Sequence, residues 1–355
     1  MSDFGVVVVG CGTVAGYGHL PAIKHHPGAR LVGVADVDRH RAQRANREFE
    51  AGAWSTDYQD FLRRDDVDVV VIATPPASHA RIALDSLRAG KHVLCEKPIA
   101  RSLYDAREMI RTAEETGGKL SVGYILRHNA AYRKAAAMIQ DGAVGSPLVM
   151  RLLGAEGYTE AAQWERALGL LKNTSPLVDC GCHYVDVMRW FTGAEATSVC
   201  GVGTRLNPEV PGEGYDYGSI QVQFDDGSVG TYEVGWGYPF RTFSEKEFIG
   251  PKGRLRIIYT SVEEGAERIQ QLESYVPAEG LRMIPVEGAT KPMAQQLTSL
   301  IQHVTDDLDP LPALEDAVKS LEIVLAGHEA IRTGKPVPIP YDGCPIVQSD
   351  LSSYV

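Results

Sequence analysis

The first third of the chain alternates between short apolar runs and longer amphipathic stretches. The apolar runs are rich in valine, as expected for strands buried on both faces of a sheet, and they predict strands at residues 5–9, 31–35, 67–73, 92–95 and 119–122. The intervening stretches predict helices up to about residue 26 and over residues 38–50, 78–89 and 102–116. This alternation predicts right-handed βαβ units on a doubly wound parallel sheet of the Rossmann type, an α/β fold.

The pattern changes after Gly123. Helical periodicity covers residues 130–140, 177–191, 292–304 and 313–333. Between them, residues 219–224 and 229–234 alternate in polarity on either side of the turn signal Asp-Asp-Gly-Ser, and residues 253–259 form a further strand pattern. Hairpin-paired strands with helices at the ends predict an α+β domain. We therefore expect a dinucleotide-binding domain at residues 1–123 and a substrate-binding and oligomerisation domain at residues 124–355.

Length and charge agree with two packed domains. The chain has 355 residues, more than the roughly 250–300 at which single cores stop growing. Its hydrophobic fraction of 44% is enough to build cores. With 35 Lys and Arg against 46 Asp and Glu, the net charge is −11, which argues against nucleic acid or an anionic membrane as the main partner.

Two further features bear on location. The six cysteines are sparse and irregularly spaced, which indicates a reducing compartment. Residues 4–23 contain no Asp, Glu, Lys or Arg and superficially resemble a signal peptide or a membrane span. Glycines and Pro21 interrupt this stretch, however, and no Lys or Arg precedes it. We expect a cytoplasmic protein without a membrane segment.

A glycine-rich turn follows the first strand. Gly10-Cys11-Gly12-Thr13-Val14-Ala15 fits the pattern G-x-G-x-x-G/A at the start of a helix. In this pattern Gly10 permits the tight turn, Gly12 lets the backbone approach a pyrophosphate, and Ala15 lets helix and strand pack closely. The N-terminal end of the helix then offers N–H groups to the phosphates.

An acidic residue supports the same interpretation. Asp36 follows Ala15 by 21 residues, at the end of the second predicted strand, where a carboxylate accepts hydrogen bonds from the adenosine ribose hydroxyls. The alternative is a simple tight turn with a solvated Asp. Asp36 favours NAD over NADP, and Arg39 close behind it leaves NADP open.

Two more segments end strands at the carboxyl edge of the predicted sheet. Thr74-Pro75-Pro76 ends the third strand, where a doubly wound sheet presents its ligand crevice, although a loop that merely stops the strand fits equally well. Cys95-Glu96-Lys97-Pro98 ends the next one. Lys97 could donate to a substrate oxygen or simply be exposed, and Pro98 is a candidate for a cis peptide bond.

The helix predicted over residues 177–191 carries an acid–base pair. Asp179 and His183 lie four residues apart and so share one face of the helix. A carboxylate beside an imidazole suits a general base, but a satisfied structural pair has the same spacing. Cys180 and Cys182 suggest zinc, yet adjacent helical side chains diverge and no second Cys/His pair follows at ligand spacing, so we expect no metal.

These residues carry a resemblance to a known family. The chain resembles the Gfo/Idh/MocA oxidoreductases, the group of glucose–fructose oxidoreductase and inositol dehydrogenase. The matching blocks are V-G-C-G-T-V-A-G-Y-G-H-L-P-A at 9–22, V-A-D-V-D at 34–38, V-V-V-I-A-T-P-P-A-S-H-A at 69–80, A-G-K-H-V-L-C-E-K-P-I-A at 89–100, V-G-Y-I-L-R at 122–127, D-C-G-C-H-Y-V-D at 179–186 and G-H-E-A-I-R-T-G-K-P-V at 327–337. The combination of E-K-P with D-x-G-x-H is specific.

The resemblance implies a Rossmann domain followed by a domain with an open, largely antiparallel sheet that often forms subunit interfaces. It implies that Lys97 contacts substrate and nicotinamide, that His183 is the general acid/base, and that Asp179 orients His183. Tyr124 and Arg127 match a segment that approaches the substrate. The implied cofactor contacts are Gly10, Gly12, Thr13, Val14, Ala15, Asp36, Arg39, Thr74, Pro75, His79, Glu96 and Lys97.

The chain departs from the common family pattern just before the acid–base pair. Many members have a Gly-rich run there, whereas this chain has Ser175 and Pro176. A particular member's substrate therefore cannot be carried over. Tyr158, Trp164 and Trp236 could stack on a sugar face, although such aromatics also serve as core or interface residues.

The sequence thus predicts an NAD(P)-dependent dehydrogenase that transfers a hydride between nicotinamide and a secondary alcohol of a sugar, sugar derivative or cyclitol. A homodimer or homotetramer through the C-terminal sheet is expected. Two alternatives stay open: a redox-neutral enzyme that cleaves a glycoside through transient oxidation, and a non-catalytic NAD-binding regulatory protein. The presence of Lys97, Asp179 and His183 together argues against the latter.

Overall fold

The chain forms two compact units. The computed structural model describes residues 3–158, 160–172, 174–261 and 268–341. One unit contains the chain up to His128 together with Lys291–Val318, and the other contains Asn129–Thr290 together with the chain from Lys319 onward. The first unit thus extends five residues past the predicted boundary at residue 123. It also takes up a later segment that we had expected in the second domain.

The first unit contains a parallel sheet. Within its described residues the strands are β1 (Phe4–Val9), β2 (Ala29–Ala35), β3 (Trp54–Ser55), β4 (Val69–Ile72), β5 (His92–Cys95) and β6 (Leu120–Val122). They lie in the order β3-β2-β1-β4-β5-β6, and each neighbouring pair is parallel. The strand order reverses between β1 and β4, which is the topological switch point of a doubly wound fold, and this confirms the predicted fold class.

Helices connect these strands. A π-helical turn (Ala15–His19) leads into α1 (Leu20–Lys24), and the others are α2 (Arg39–Phe49), α3 (Gln59–Leu62), α4 (His79–Arg88) and α5 (Leu103–Thr116). Two of them, α2 and α5, begin at a residue whose side chain caps the helix. The Asp38 carboxylate accepts the N–H of His40 at 2.8 Å at the start of α2, and the Ser102 hydroxyl accepts the N–H of Asp105 at 3.0 Å at the start of α5.

The second unit contains a larger, mostly antiparallel sheet. Its elements are α6 (Ala130–Gln140), β7 (Val149–Gly157), α7 (Ala161–Leu171), α8 (Pro176–Thr192), β8 (Ala196–Thr204), β9 (Tyr217–Phe224), β10 (Val229–Gly237), β11 (Phe243–Gly250), β12 (Gly253–Ser261), β13 (Arg268–Val276) and β14 (Gly280–Ile284). With β15 (Val337–Pro338), the described strands lie in the order β14-β13-β12-β11-β7-β10-β9-β8-β15. Among these strands, β7 and β10 pair in parallel and the other neighbours are antiparallel.

The two faces of this sheet differ in character. On one face, which we call the helix-covered face, Tyr232 of β10 lies against α8, where a Cβ on Gly181 would meet its ring at 3.2 Å. The opposite face, the open face, alternates apolar residues such as Val149 with ion-paired residues such as Arg151 and Glu247. Strand register fixes this division because successive side chains point to opposite sides.

Two further helices lie between β14 and β15 in the chain. These are α9 (Met293–Thr305) and α10 (Leu314–Thr333). α9 belongs to the first unit, where Leu297 and Leu300 join the core formed by Val6 and Val8 of β1. This burial explains why a segment so distant in sequence groups with the nucleotide-binding fold.

Candidate active site

The glycine turn after β1 combines one crowded position with one open position. Gly10 has φ +95°, and a Cβ there would lie 2.6 Å from the carbonyl oxygen of Ala73. A Cβ on Gly12 would meet nothing within 4 Å. Glycine is therefore required at position 10 by the fold itself, whereas the space at position 12 is available to a ligand.

The residues after the glycines begin a helical turn. The N–H of Gly16 donates to the carbonyl of Gly12 at 3.0 Å. Thr13 is exposed, Val14 is half-buried and Ala15 is fully buried. The arrangement matches the predicted phosphate-binding loop, in which Ala15 packs inward while the turn stays accessible.

Asp36 lies at the end of β2, next to the glycine turn. One carboxylate oxygen accepts the N–H of Cys11 at 2.7 Å, and the other accepts the N–H of Asp38 at 2.8 Å. Burial and the Asp36 carboxylate raise the pKa of the Cys11 thiol to about 12. Two backbone donors thus fix the carboxylate beside the loop, and its remaining lone pairs can accept ribose hydroxyls.

Arg39 is exposed, and its guanidinium also contacts an aromatic ring. Its guanidinium carbon lies 5.4 Å from the ring centre of Trp54 on β3. Such a cation–π contact holds the cation over an aromatic surface near the end of β2. Together with the open space at Gly12 and the fixed carboxylate of Asp36, these residues fit an adenosine-containing dinucleotide.

The loop after β4 is tied down by a buried histidine. His79 is fully buried; its Nε2 lies 2.8 Å from the carbonyl oxygen of Thr74, and its Nδ1 lies 2.9 Å from that of Pro98. Burial lowers the pKa of His79, while the two carbonyl groups oppose that shift. The structure therefore places His79 behind the Thr74–Pro75 loop, so any effect on the cofactor passes through the backbone of that loop.

Glu96 and Lys97 follow β5, and a buried histidine joins them. The Glu96 carboxylate lies 2.8 Å from Nε2 of His19 and accepts the N–H of Lys97 at 3.2 Å. The Lys97–Pro98 peptide bond is cis, as predicted. Lys97 is half-buried, whereas Glu96 and His19 are buried. The Glu96 carboxylate thus connects the backbone N–H of Lys97 to His19, which lies in the helical turn after the glycine loop.

His19 was given no role by sequence reasoning. The sequence does contain a signal for it. Residues 4–23 have no Asp, Glu, Lys or Arg, and His19 is the only histidine among them. A buried imidazole in such a stretch requires a polar partner, and Glu96 is that partner.

Tyr124 and Arg127 follow β6 and are both buried. An Nη of Arg127 donates to the Asp316 carboxylate at 3.3 Å, within the first unit. The pairing gives Arg127 a structural anchor at the start of α10. A substrate role for Tyr124 and Arg127 stays a prediction.

The acid–base pair lies in the first two turns of α8. Asp179 and His183 are half-buried and one turn apart, and the Cys180 sulfur lies 3.7 Å from an Asp179 carboxylate oxygen. Cys182 is buried and its thiol donates to the Asp179 carbonyl at 3.3 Å. The described residues contain no group of three or more His, Cys, Asp or Glu side chains placed to hold a metal ion.

The residue that departs from the family pattern is the N-cap of α8. The Ser175 hydroxyl accepts the N–H of Val178 at 3.3 Å. It also accepts the phenolic hydroxyl of Tyr215 at 3.0 Å, and that phenol lies 3.2 Å from Nδ1 of His328. The buried Ser175 and Tyr215 and the half-buried His328 thus hold the start of the helix that carries Asp179 and His183. Sequence reasoning missed these contacts because the three residues are far apart in sequence.

The predicted aromatic wall is largely internal. Tyr158, Trp164 and Trp236 are all buried. Trp164 lies 5.7 Å, ring to ring, from Tyr238, whose side chain is 49% exposed. Tyr238 is therefore the ring of this group that offers a surface to solvent.

The structure brings the predicted residues together in two sets, one in each unit. Gly10, Gly12, Asp36, Thr74 and Lys97 lie at the carboxyl ends of the strands of the parallel sheet. Asp179 and His183 lie on one helix of the second unit. In the part of the chain that the structure covers, no helix has both the length and the apolar character needed to cross a membrane.

Comparisons with known proteins agree with this description. A model of an oxidoreductase family with an NAD-binding Rossmann fold (GFO_IDH_MocA) matches residues 4–124, and the GFO/IDH/MocA C-terminal domain model matches residues 132–256. Scyllo-inositol 2-dehydrogenase (NAD(+)) of Bacillus subtilis is 28% identical over 94% of this chain and 95% of its own. Inositol 2-dehydrogenase of Rubrobacter xylanophilus is 31% identical over 71% of each chain. The crystal structure of aldose–aldose oxidoreductase from Caulobacter crescentus superposes with a TM-score of 0.82 at 24% identity, covering 95% of this chain and 100% of that one.

Proposed function

Because the chain belongs to the Gfo/Idh/MocA family of NAD-binding sugar and cyclitol oxidoreductases, we propose that it oxidises a secondary alcohol of a sugar, sugar derivative or cyclitol. The observation that carries the proposal is the joint presence of a fixed Lys97 and the Asp179–His183 turn in a chain whose glycine loop fits a dinucleotide. A non-catalytic NAD-binding protein would need the glycine loop but neither Lys97 nor the Asp179–His183 pair.

The first unit holds the cofactor in this proposal. Bound NAD supplies the hydride acceptor. The backbone at Gly12 accommodates the pyrophosphate, and Asp36 accepts the adenosine ribose hydroxyls while repelling a 2′-phosphate. Arg39, held over Trp54, supplies a cation near this end of the site.

Lys97 acts on the oxygen of the reacting carbon. Its ammonium donates to that oxygen and stabilises the negative charge that develops as the proton leaves, an effect worth about 3 kcal/mol by analogy with other oxyanion donors. The Glu96 carboxylate, hydrogen-bonded to the Lys97 N–H and to His19, fixes the backbone from which this side chain extends.

His183 takes the proton of the substrate hydroxyl. Asp179, one turn earlier on α8, fixes the imidazole tautomer and stabilises the imidazolium that forms. The capped helix start at Ser175 keeps both residues on a rigid element, which favours precise proton transfer.

The test is a substrate screen with matched variants. Inositols, aldoses and uronates are incubated with NAD and with NADP in parallel, and reduced nicotinamide is followed by absorbance. Lys97→Ala and His183→Ala should each lower turnover at least about a hundredfold while leaving NAD binding within a few fold. The exposed residues Lys252 and His40 provide the matched alanine controls. Near-wild-type rates in either active-site variant would refute the roles proposed here.

We also propose that the open face of the second sheet binds a second copy of the chain. Arg151 and Arg254 pair with Glu247 at 3.0 and 3.1 Å, so positive and negative groups alternate across this face. Leu281 and Met283 at one edge are more than half exposed. A surface of alternating charges flanked by apolar residues is complementary to itself under two-fold symmetry.

The oligomer proposal is tested by light scattering during gel filtration. Leu281→Glu with Met283→Lys should shift the wild-type dimer or tetramer towards smaller species. A wild-type protein that is monomeric at micromolar concentration would contradict the proposal.

A further inference from the structure

Strand β11 of the second unit carries a lysine at a position where its neighbours are apolar. Lys246 is completely buried and faces the helix-covered side of the sheet. It pairs with Leu152 of β7 and Ile257 of β12, and Phe248, two residues further on, is a buried core residue on the same face. An apolar side chain would complete this core, so the ammonium group requires another explanation.

The ammonium contacts three groups. It donates to the carbonyl oxygen of Leu153 and, at 3.2 Å, to the hydroxyl of Ser244. It lies 4.2 Å from the ring centre of Tyr184 on α8. Gly154 leaves room for it, since even a Cβ there would lie 3.8 Å from the Lys246 nitrogen. Among the described residues, no carboxylate lies within ion-pair distance of this ammonium.

A buried charge without an ion-pair partner costs folding free energy. Burial lowers the pKa of Lys246 to about 7, against the smaller opposing effects of Cys180 and Glu245. Replacing such a charge with an apolar residue of similar size is often neutral or stabilising. At functional sites, activity and stability often trade off against each other, so a destabilising group near a site directs attention to its role there.

The aromatic ring that Lys246 contacts belongs to Tyr184, the residue next to His183 of the acid–base pair. Tyr184 directly follows His183 on α8 and is half-buried. Its ring stacks on Tyr232 of β10 with centroids 4.8 Å apart, and the Lys246 ammonium lies against it as well. A ring held by both contacts has little rotational freedom, so the adjoining turn of α8 is held too.

We infer that Lys246 is a positioning residue for the reaction at His183: its ammonium, through the Tyr184 ring, holds the α8 turn that presents the imidazole to the substrate. This inference rests on the proposed dehydrogenase function. Lys246 is completely buried and therefore contacts neither substrate nor cofactor.

The inference has a pH dependence. Around Lys246 and the Tyr184 ring, the titratable groups are Cys180 of α8, Glu156 of β7, Tyr232 of β10, Tyr259 of β12 and Glu245 of the lysine's own strand. Burial raises the pKa of Tyr184 and of Tyr232, which therefore remain neutral across the working range. As pH rises through about 7, Lys246 loses its charge and with it the cation–π contact to the Tyr184 ring.

Stability has its own pH dependence, measurable without substrate. Unfolded Lys246 keeps its proton up to its ordinary pKa, so the unfolded chain binds more protons than the folded one between the folded pKa and that value. The penalty is therefore fully present below pH 7 and is relieved as pH rises towards the ordinary pKa. Lys246→Met should remove it, raising the melting temperature most at and below pH 7.

The decisive experiment combines both measurements on the full-length protein. Lys246→Met should melt at the same or a higher temperature than wild type, yet lower kcat/KM for the best substrate of the screen about three- to tenfold. Its kcat/KM should also lack the wild-type decline through pH 7–8. Tyr184→Leu should reproduce the loss in kcat/KM, and combining the two changes should add little further.

Two outcomes would overturn the inference. If Lys246→Met melts well below wild type, the lysine is structural; if kcat/KM and its pH profile are unchanged, Tyr184 does not need it. Lys252→Met, on the exposed turn between β11 and β12, is the matched control and should resemble wild type in both assays. A wild-type protein that oxidises nothing would instead contradict the proposed function, while the melting comparison would still test the buried charge.

Discussion

Two glycines in the same turn should respond oppositely to the same substitution. At Gly10, a Cβ would lie 2.6 Å from the Ala73 carbonyl oxygen and 2.8 Å from the Thr74 nitrogen, on a residue with φ +95°. The clash is with backbone and cannot relax cheaply, costing about 1–3 kcal/mol, and the backbone conformation adds about 1–2 kcal/mol. Gly10→Ala should therefore destabilise the protein by about 2–5 kcal/mol.

At Gly12 the same methyl group meets open space, so the folded state should be affected by less than about 0.5 kcal/mol. The methyl group occupies the volume that the cofactor needs, and the dissociation constant for NAD should rise at least about tenfold.

Melting curves and calorimetric titration with NAD separate the two effects. Gly10→Ala should lower the melting temperature by roughly 5–15 °C, and Gly12→Ala should leave it within about 1–2 °C while weakening NAD binding. Each variant is the control for the other. Wild-type NAD affinity in Gly12→Ala, or an equal loss of stability in both variants, would refute the assignment of this turn.

Three further substitutions test other parts of the site. Asp36→Ala removes the ribose acceptor, so the NAD dissociation constant should rise about tenfold or more and the preference over NADP should narrow, as measured by titration with both nucleotides. Glu96→Gln removes the charge between His19 and Lys97 and should lower kcat/KM about tenfold with little change in NAD affinity. Tyr215→Phe deletes the hydroxyl between Ser175 and His328 and should cost about 1–2 kcal/mol, visible as a lower denaturant midpoint; an unchanged midpoint would exclude a role for these contacts in capping α8.

The parallel sheet could be predicted from the sequence almost strand by strand. Its strands are buried on both faces and therefore read as continuous valine-rich runs such as β1 and β4. The short strand β3 was not predicted, because Trp54 and Ser55 carry no pattern of their own.

The second sheet was only partly predictable. β9 and β10 alternate cleanly and flank a turn signal, and their predicted hairpin is confirmed. β7, β11 and β13 were missed because apolar and polar residues are mixed along them. In β7, for example, the apolar Val149 and Leu153 share the open face with Arg151, which blurs the period of two. Lys246 adds to this effect, since it places a charge on the helix-covered face of β11 as well.

The candidate site, like the fold, was predictable only where local sequence determines it. Local motifs were enough to predict the glycine turn, the Lys97–Pro98 cis bond and the shared face of Asp179 and His183. The partners that hold them were not predictable, because contacts such as His19 with Glu96 join residues distant in sequence. The hydrophobic periodicity of one segment does not show which distant residue, such as Glu96 for His19, its side chains will contact.

Net hydride transfer from a secondary alcohol to NAD, with His183 as the base, can be measured directly. The measurement follows reduced nicotinamide and ketone product together, using a cyclitol deuterated at the reacting carbon and its undeuterated form. We predict one reduced nicotinamide per ketone, a slower rate for the deuterated substrate, and loss of both products in His183→Ala. Product formed with only catalytic amounts of NAD, and no accumulation of its reduced form, would contradict the account.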